Sequence, residues 1–395
     1  MNNLIEYSIS EIATITDCEH KTAPVVDESN YYSVRTTNIS NGKIDFDNCN
    51  RVSEGTYNLW TQRMVPQEGD IVLAREAPVG EVGYVEANRK ICLGQRTVLI
   101  RPNQSLIHNR FLLYYLMNKE VKNGLINKSS GSVVEHLNVR DIREFKIKIP
   151  KEIIIQKRIA GVLSSLDDKI DLLHRQNKTL EQIAETLFRQ WFVEAAEEGW
   201  EKLSSLENWV LFDPREKLDK TIEYQVFDMK CLSNTDMTIG EGVVREVSSA
   251  TTFRNNDTLL AKITPCLENG KTGFVMNLME NEIAKGSTEF IVIRSMGQVS
   301  PYWVYCLARS QEFRNSAIQS MTGTSGRQRV QIQMLRNYQV SVDLNLMAKF
   351  HNFVEPNFQK IKSNVAQIQT LTQLRDALLP KLMAGEVRVN IHLSC

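Results

Sequence analysis

The sequence predicts an α/β protein built twice over. Two similar globular units are separated by two long helices, which pair with each other as an intramolecular antiparallel coiled coil and give the chain a pseudo-twofold internal repeat. Three observations carry this reading. A stretch in the middle of the chain holds a three–four apolar rhythm, a second stretch near the C-terminus repeats it, and the segments preceding each stretch match one another in order.

The middle stretch runs from Gln156 to Glu194. Leu163, Leu166, Ile170, Leu173, Asn177, Leu180, Ala184, Leu187 and Trp191 alternate steps of three and four residues, the period that keeps one stripe turned toward a partner helix. No Gly or Pro falls between Val162 and Val193. At 1.5 Å per residue the helix is a rod of roughly 57 Å. A rod with one apolar stripe needs a partner to be stable in water. Asn177 sits among leucines on this seam. A buried amide there fixes register or partner at a cost in stability, unless it faces a solvated gap.

The same chain supplies the partner, over residues 350–382. Ile361, Ile368, Leu371, Leu378 and Leu382 fall 191 residues after Ile170, Asn177, Leu180, Leu187 and Trp191. Asn364 and Arg375 interrupt this second seam. Pro356 is expected to mark its start and Pro380 to kink or end it.

The repeat extends into the globular segments. The run Gly69 to Arg75 matches Asn256 to Lys262, Gly83-Tyr84-Val85 matches Gly273-Phe274-Val275, Gly94 to Ile100 matches Gly286 to Val292, and Phe111 to Leu116 matches Tyr302 to Leu307. Within a unit, Asp70–Ala74 and Thr97–Ile100 read as strands, Glu144–Ile149 alternates as a half-buried strand, and Arg110–Lys122 has a helical period. Asn41-Gly42, Pro66 to Gly69 and Pro78 to Gly80 supply the turns. The expected division is 1–150, 151–196 for the central helix, 197–345, and 346–395 for the C-terminal helix.

Composition narrows the function. Lys plus Arg is 47 and Asp plus Glu is 47, so polyanion binding must rest on local patches or on a basic partner. Seven cysteines without a CxxC pair point to reduced thiols in a cytoplasmic protein. The N-terminus lacks a basic region followed by an apolar run, and no apolar stretch nears the roughly 20 residues of a membrane span.

Catalytic motifs fail one by one. Gly270-Lys271-Thr272 lacks the phosphate loop's earlier glycine, since position 265 is Pro265. Gly240-Glu241-Gly242 is followed by Arg245 where the dinucleotide fingerprint needs glycine. The six histidines show no metal spacing. Glu120-Val121-Lys122 has the Glu-x-Lys spacing of metal-dependent nucleases, but in a helical pattern. The Asn/Asp-Pro-Pro-Tyr/Phe tetrad of amino-methyltransferases does not occur. No catalytic residue is assigned.

Specific motifs carry a resemblance. They are Ile149-Pro150, Gln156 to Ala160, Leu163 to Ile170, Leu180 to Phe188 with Trp191-Phe192, the ending Leu378 to Val387, and more weakly Asn38 to Ile44 and the start at Gly69-Asp70. In these the chain resembles the specificity (S) subunit of type I restriction-modification systems. The resemblance implies two target-recognition domains, each reading one half of a bipartite, asymmetric double-stranded DNA site. It implies helices that set the spacing and dock two methyltransferase subunits and, through them, two restriction/translocase subunits. S-adenosylmethionine, ATP and Mg2+ would belong to those partners, none to this chain. Two similar modules on a stiff frame can engage two half-sites as a symmetric dimer does.

Polar loop residues are the candidates for DNA contact, since they pair with base edges and phosphates. In the first unit these are Lys21, Arg35, Asn38, Lys43, Arg75, Gln95, Arg96, Lys128, Ser130 and Ser132. In the second they are Lys262, Lys271, Ser287, Thr324, Ser325, Arg327, Gln328 and Arg329. Two other classes stay open from sequence alone: a free-standing DNA-cleaving enzyme using Glu120 and Lys122, and a coiled-coil scaffold that binds no nucleic acid.

Overall fold

Strand Lys146–Pro150 alternates exposed lysines with buried Ile147 and Ile149, and it pairs antiparallel with Leu4–Ser8, closing the two ends of the first globular part on each other. The computed structural model describes residues 4–128, 136–195, 203–219, 221–247, 249–324 and 326–389. These fall into two units, Met1–Lys169 with Leu371–Cys395, and Ile170–Thr370. Each unit therefore holds one globular part and a portion of both long helices.

In the first unit a four-stranded antiparallel sheet has the order Ala13–Asp17, Thr97–Pro102, Ile71–Ala74, Val82–Tyr84. Its central strands are buried on both faces, and the two-residue period of a strand feeds two cores. Ile71, Leu73, Val98 and Ile100 pack with Phe111, Leu112 and Leu116 of helix Asn109–Met117. Val72, Ala74 and Leu99 pack on the other side with Val34 and Ile91. The latter two belong to a three-stranded sheet, Asn50–Val52, Tyr31–Val34 and Lys90–Leu93, whose last two strands run parallel.

The second unit repeats this order. Its sheet is Val210–Phe212, Phe290–Ser295, Thr258–Ala261, Thr272–Phe274. Gln225–Phe227 runs parallel to Ala284–Gly286, as Tyr31–Val34 does to Lys90–Leu93. The buried carboxylate at each strand entry explains the Gly69-Asp70/Asn256-Asp257 match. Asp70 pairs with Arg101 and Asp257 with Arg294, both at 2.6 Å, and each accepts the backbone N–H three residues earlier. The ladders correct one part of the self-match. Gly94 N–H donates to Val34 O, and Ser287 N–H donates to Phe227 O. Gly94 is thus the counterpart of Ser287, one residue beyond the glycine that the sequences align.

The central helix spans Ile153–Phe188 and closes in a π-helical turn, Arg189–Glu194. Its first turn is fixed by buried Gln156, whose amide accepts from His108 N–H and donates to the carbonyls of Leu106 and Pro150. The C-terminal helix spans Leu344–Met383 without a break. The expectation for Pro356 is therefore corrected. Pro356 lies inside the helix, and the carbonyl it leaves without a donor belongs to Asn352; both residues are exposed, so water can serve that carbonyl. Asp343 provides the true N-cap, accepting from Asn345 and Leu346 N–H. Pro380 is within the last turn, and the helix ends only at Gly385, whose φ of 72° and the Glu386 N–H to Lys381 O bond form a Schellman stop.

The helices pair antiparallel in both units. In the first, Ile159, Ala160 and Leu163 share a core with Leu379, Leu382 and Met383, and Arg375 meets Asp167 at 2.9 Å. In the second, Asn364 meets Asn177, while Trp191 lies against Phe350 and Phe353. Of the expected seam, Leu163, Ile170, Leu173, Asn177 and Ile361 are buried; Leu166, Leu180, Leu187, Trp191, Ile368, Leu371 and Leu378 are half-buried. The residues taken as interruptions are thus polar partners across the seam.

Candidate nucleic-acid interface

The expected contact residues separate into those that face out and those the fold consumes. Asn38 is buried; its side chain accepts from Arg35 N–H and donates to Asn48 O. Arg75 is 5% exposed, donating to Asp17 at 2.9 Å, to Leu137 O at 2.8 Å and to His136 Nε2 at 2.8 Å. Both are corrections: a side chain buried with its donors committed inside the domain cannot reach a base edge. Lys271 is a third, its Nζ tying down the carbonyls of Met229 and Leu232. Lys262 and Ser287 are half-buried, and Ser287 Oγ accepts from Glu289 N–H.

Arg35, Gln95 and Arg96 come together in the first unit. They line a hollow of about 330 Å³ with Ser33, Thr36 and Asn50. Gln95 is exposed, and its amide donates to His20 O. Lys21 and Lys43 are exposed as well, as is Lys128 beyond helix Lys119–Ile126. Ser130 and Ser132 lie outside the described residues.

In the second unit the loop from Thr322 to Arg329 closes as a small hairpin. Thr322 and Arg329 exchange backbone bonds, Arg329 also bridges Ile263, and Gln328 N–H donates to Thr264 Oγ1. Thr324, Arg327 and Arg329 are exposed and Gln328 is half-buried. Ser325 lies outside the described residues.

Beside these cations stand partners that cation-and-amide reasoning passes over. Glu76 receives Arg96 Nη1 on one oxygen and His136 Nδ1 on the other, both at 2.5 Å. Arginine only donates, so His136 Nε2 accepts from Arg75 and Nδ1 carries the proton given to Glu76. Arg329 grips Glu289 through Nε and Nη2, at 3.0 and 2.6 Å. Those bonds hold the Glu289 carboxyl below its ordinary range.

Comparison with known proteins finds the same resemblance. The model for the "Type I restriction modification DNA specificity domain" matches residues 2–182. The chain is 26% identical over 374 residues to the type I restriction enzyme MjaIX specificity subunit of Methanocaldococcus jannaschii, covering 86% of this chain and 83% of that one. It is 29% identical over 134 residues to the HindI specificity subunit of Haemophilus influenzae, covering 32% of this chain and 28% of that one. The crystal structure of a type I restriction-modification S subunit from M. genitalium has the same fold, with a TM-score of 0.56, 15% identity and 96% of each chain covered. The chain is thus similar to type I restriction-modification specificity subunits in sequence and, to the M. genitalium subunit, in fold.

In this chain the Glu120/Lys122 pair does not form a site. Residues two apart on a helix do not face each other, and Lys122 Nζ is engaged by Glu81 instead. Gly270-Lys271-Thr272 is a turn entering strand Thr272–Phe274 rather than a loop entering a helix. Asp17, Cys18 and His20 bring their donor atoms within 4.8 Å of one another, but Asp17 already accepts from Arg75 and from Cys18 N–H. Among the described residues, no helix is long and apolar enough to cross a membrane.

Proposed function

We propose that this chain is the specificity subunit of a type I restriction-modification complex and its non-catalytic DNA reader, each globular part recognising one half of a bipartite, asymmetric double-stranded site. The observation that carries this is a backbone repeated in register with different side chains on its exposed loops. The Arg35/Gln95/Arg96 hollow occupies one corner of the first unit, and the Thr322–Arg329 hairpin stands in the second. A repeated scaffold with divergent polar loops suits two half-sites of different sequence. The free-standing nuclease and the pure scaffold both fare worse: one lacks a pair of facing residues, and the other has no use for the duplicated modules.

Partner docking follows from the helices. Leu172 and Ile183 stay 51% and 41% exposed in the second unit and Leu374 45% exposed in the first. Leu172 and Ile183 are eleven residues apart, about three turns, and so share a helix face. This face in the second unit and exposed Leu374 in the first suit docking of two methyltransferase subunits, which would bring S-adenosylmethionine and recruit two restriction/translocase subunits with their ATP and Mg2+. The helices that join the readers would set the half-site spacing.

The test is exchange of residues 4–150 for the corresponding part of another specificity subunit, followed by methylation mapping of the reconstituted complex. One half-site should change and the other persist. A change in both halves, or in neither, refutes modular reading.

A further inference from the structure

Two backbone contacts, present in both units, fix which residues correspond at the loop corner. Arg75 N–H donates to Arg96 O, as Lys262 N–H does to Glu289 O; Leu137 N–H donates to Arg75 O, as Val330 N–H does to Lys262 O. Arg96 is therefore the counterpart of Glu289, His136 of Arg329, and Glu76, next after Arg75, of Ile263. One corner holds Glu, Arg and His; the same three backbone positions in the other hold Ile, Glu and Arg. Each corner presents one exposed arginine clamped by one glutamate, with the roles dealt to different positions.

Stability does not explain these pairs. Arg96 is 59% exposed at its side chain and Arg329 49%, and exposed pairs add little to a fold. The buried Asp70–Arg101 and Asp257–Arg294 pairs behave oppositely, keeping the same residues at the same positions in both units. Arg96 also holds a left-handed backbone, φ 65°, which is uncommon for a residue with a side chain and is sustained where the surroundings demand it. The clamp leaves chemistry free. Glu289 takes Nε and one N–H of Nη2, so among the described residues the outer fork of Arg329 has no partner; Glu76 takes Nη1, so among the same residues Nε and Nη2 of Arg96 have none. A donor-only fork held in one orientation matches the two acceptors, O6 and N7, that guanine shows in the major groove.

We infer that Arg96 and Arg329 are the specificity-determining residues of the two readers, each reading one guanine, with Glu76 and Glu289 as positioning residues. This rests on the DNA-reading function proposed above.

The experiment reconstitutes the full chain with its methyltransferase subunits and maps methylation on a DNA library with randomised positions. The wild type should give a bipartite motif with a G·C pair in each half. R96A and R96K should each lower discrimination at one such pair in one half by about 5- to 150-fold, and R329A and R329K likewise in the other half. E76Q and E289Q should lower it partially at the same pairs without shifting the motif. Lysine decides between base and phosphate, because it preserves the charge but not the fork. If R96K and R329K match the wild type while the alanine variants weaken all sequences alike, the arginines hold phosphates and the inference falls, with the reading function intact. A wild-type half-site without any G·C pair also overturns it. Methylation by the wild type without sequence preference overturns the reading function itself.

Discussion

The buried amide pair between the two long helices yields a prediction whose sign depends on which partner is removed. Asn364 Nδ2 donates to Asn177 Oδ1 at 2.8 Å and to Gln176 Oε1 at 2.9 Å. Asn177 Nδ2 and Asn364 Oδ1 find no partner among the described residues. Leucine has the same branched four-atom skeleton as asparagine, so substitution alters polarity more than shape. Asn364→Leu strips Asn177 of its donor and leaves a whole buried amide unpaired, at a cost of about 1–3 kcal/mol. Asn177→Leu leaves Asn364 its bond to Gln176, so it should cost less, about 1 kcal/mol. Replacing both removes every desolvated polar atom at this level and should be neutral or stabilising. For a unit of this size each kcal/mol moves the melting temperature by roughly 2–4 °C. Asn364→Leu should therefore melt roughly 2–12 °C lower, and the double variant should return to the wild-type value or exceed it. Thermal unfolding followed by circular dichroism reads this directly. A double variant less stable than Asn364→Leu would refute the reasoning, because two facing amides on an apolar seam cannot give that order.

Two further outcomes separate fold from function. Arg75→Met leaves the Asp17 carboxylate and the Leu137 carbonyl without their buried donor, so it should cost about 3–5 kcal/mol, whereas Arg96→Ala at the same corner should stay within roughly 0.5 kcal/mol; equal melting losses would contradict the assignment of Arg75 to the interior. Burial pushes the Glu181 carboxyl up to about 7, even though it accepts from Tyr305 and from Met237 N–H. The folded state then holds this proton more tightly than the unfolded chain does, so stability is lost as pH rises from the ordinary carboxylate range through 7. Glu181→Gln should gain on the wild type across that window by up to roughly 3 kcal/mol, and a pH-independent difference would show that Glu181 is not the group responsible.

What the sequence showed and what it hid follow from the range of the forces involved. The seam was legible because its three–four rhythm is local and survives on composition alone, as was the alternation of Lys146–Pro150. Pro356 was misread because the proline rule concerns a hydrogen bond, not a helix. Phe350, Val354, Phe358 and Ile361 bury one continuous face, and the lost bond falls on the side toward water. Arg75 was misread because nothing near it marks a cation as pointing inward; its partner Asp17 lies 58 residues away. The polar seam residues looked like flaws until each met its opposite, Asn177 with Asn364 and Asp167 with Arg375. Glu76, His136 and Glu289 stayed hidden because an acidic or neutral loop residue gives no signal in sequence until the arginine it pairs with is seen beside it.

The duplication itself sorts the polar groups. Tyr114 and Tyr305 are counterparts, and each donates to a carboxylate of the central helix within its own unit, Asp167 and Glu181. Those carboxylates are not counterparts, yet the tyrosine–acid contact recurs, because the need it meets is the same in both units: a phenol buried against a helix must donate to something. The Asp70–Arg101 and Asp257–Arg294 pairs recur in residue and position for a similar reason. The loop corner shows the opposite behaviour, with one backbone, the same arginine–glutamate chemistry, and different positions bearing it. A demand from the interior returns the same partners in both units, whereas a demand from outside the chain need not be the same twice. A formal charge of zero therefore hides two kinds of cation, those such as Arg75, Arg101 and Arg294 that pair with carboxylates in the interior and those held on exposed loops.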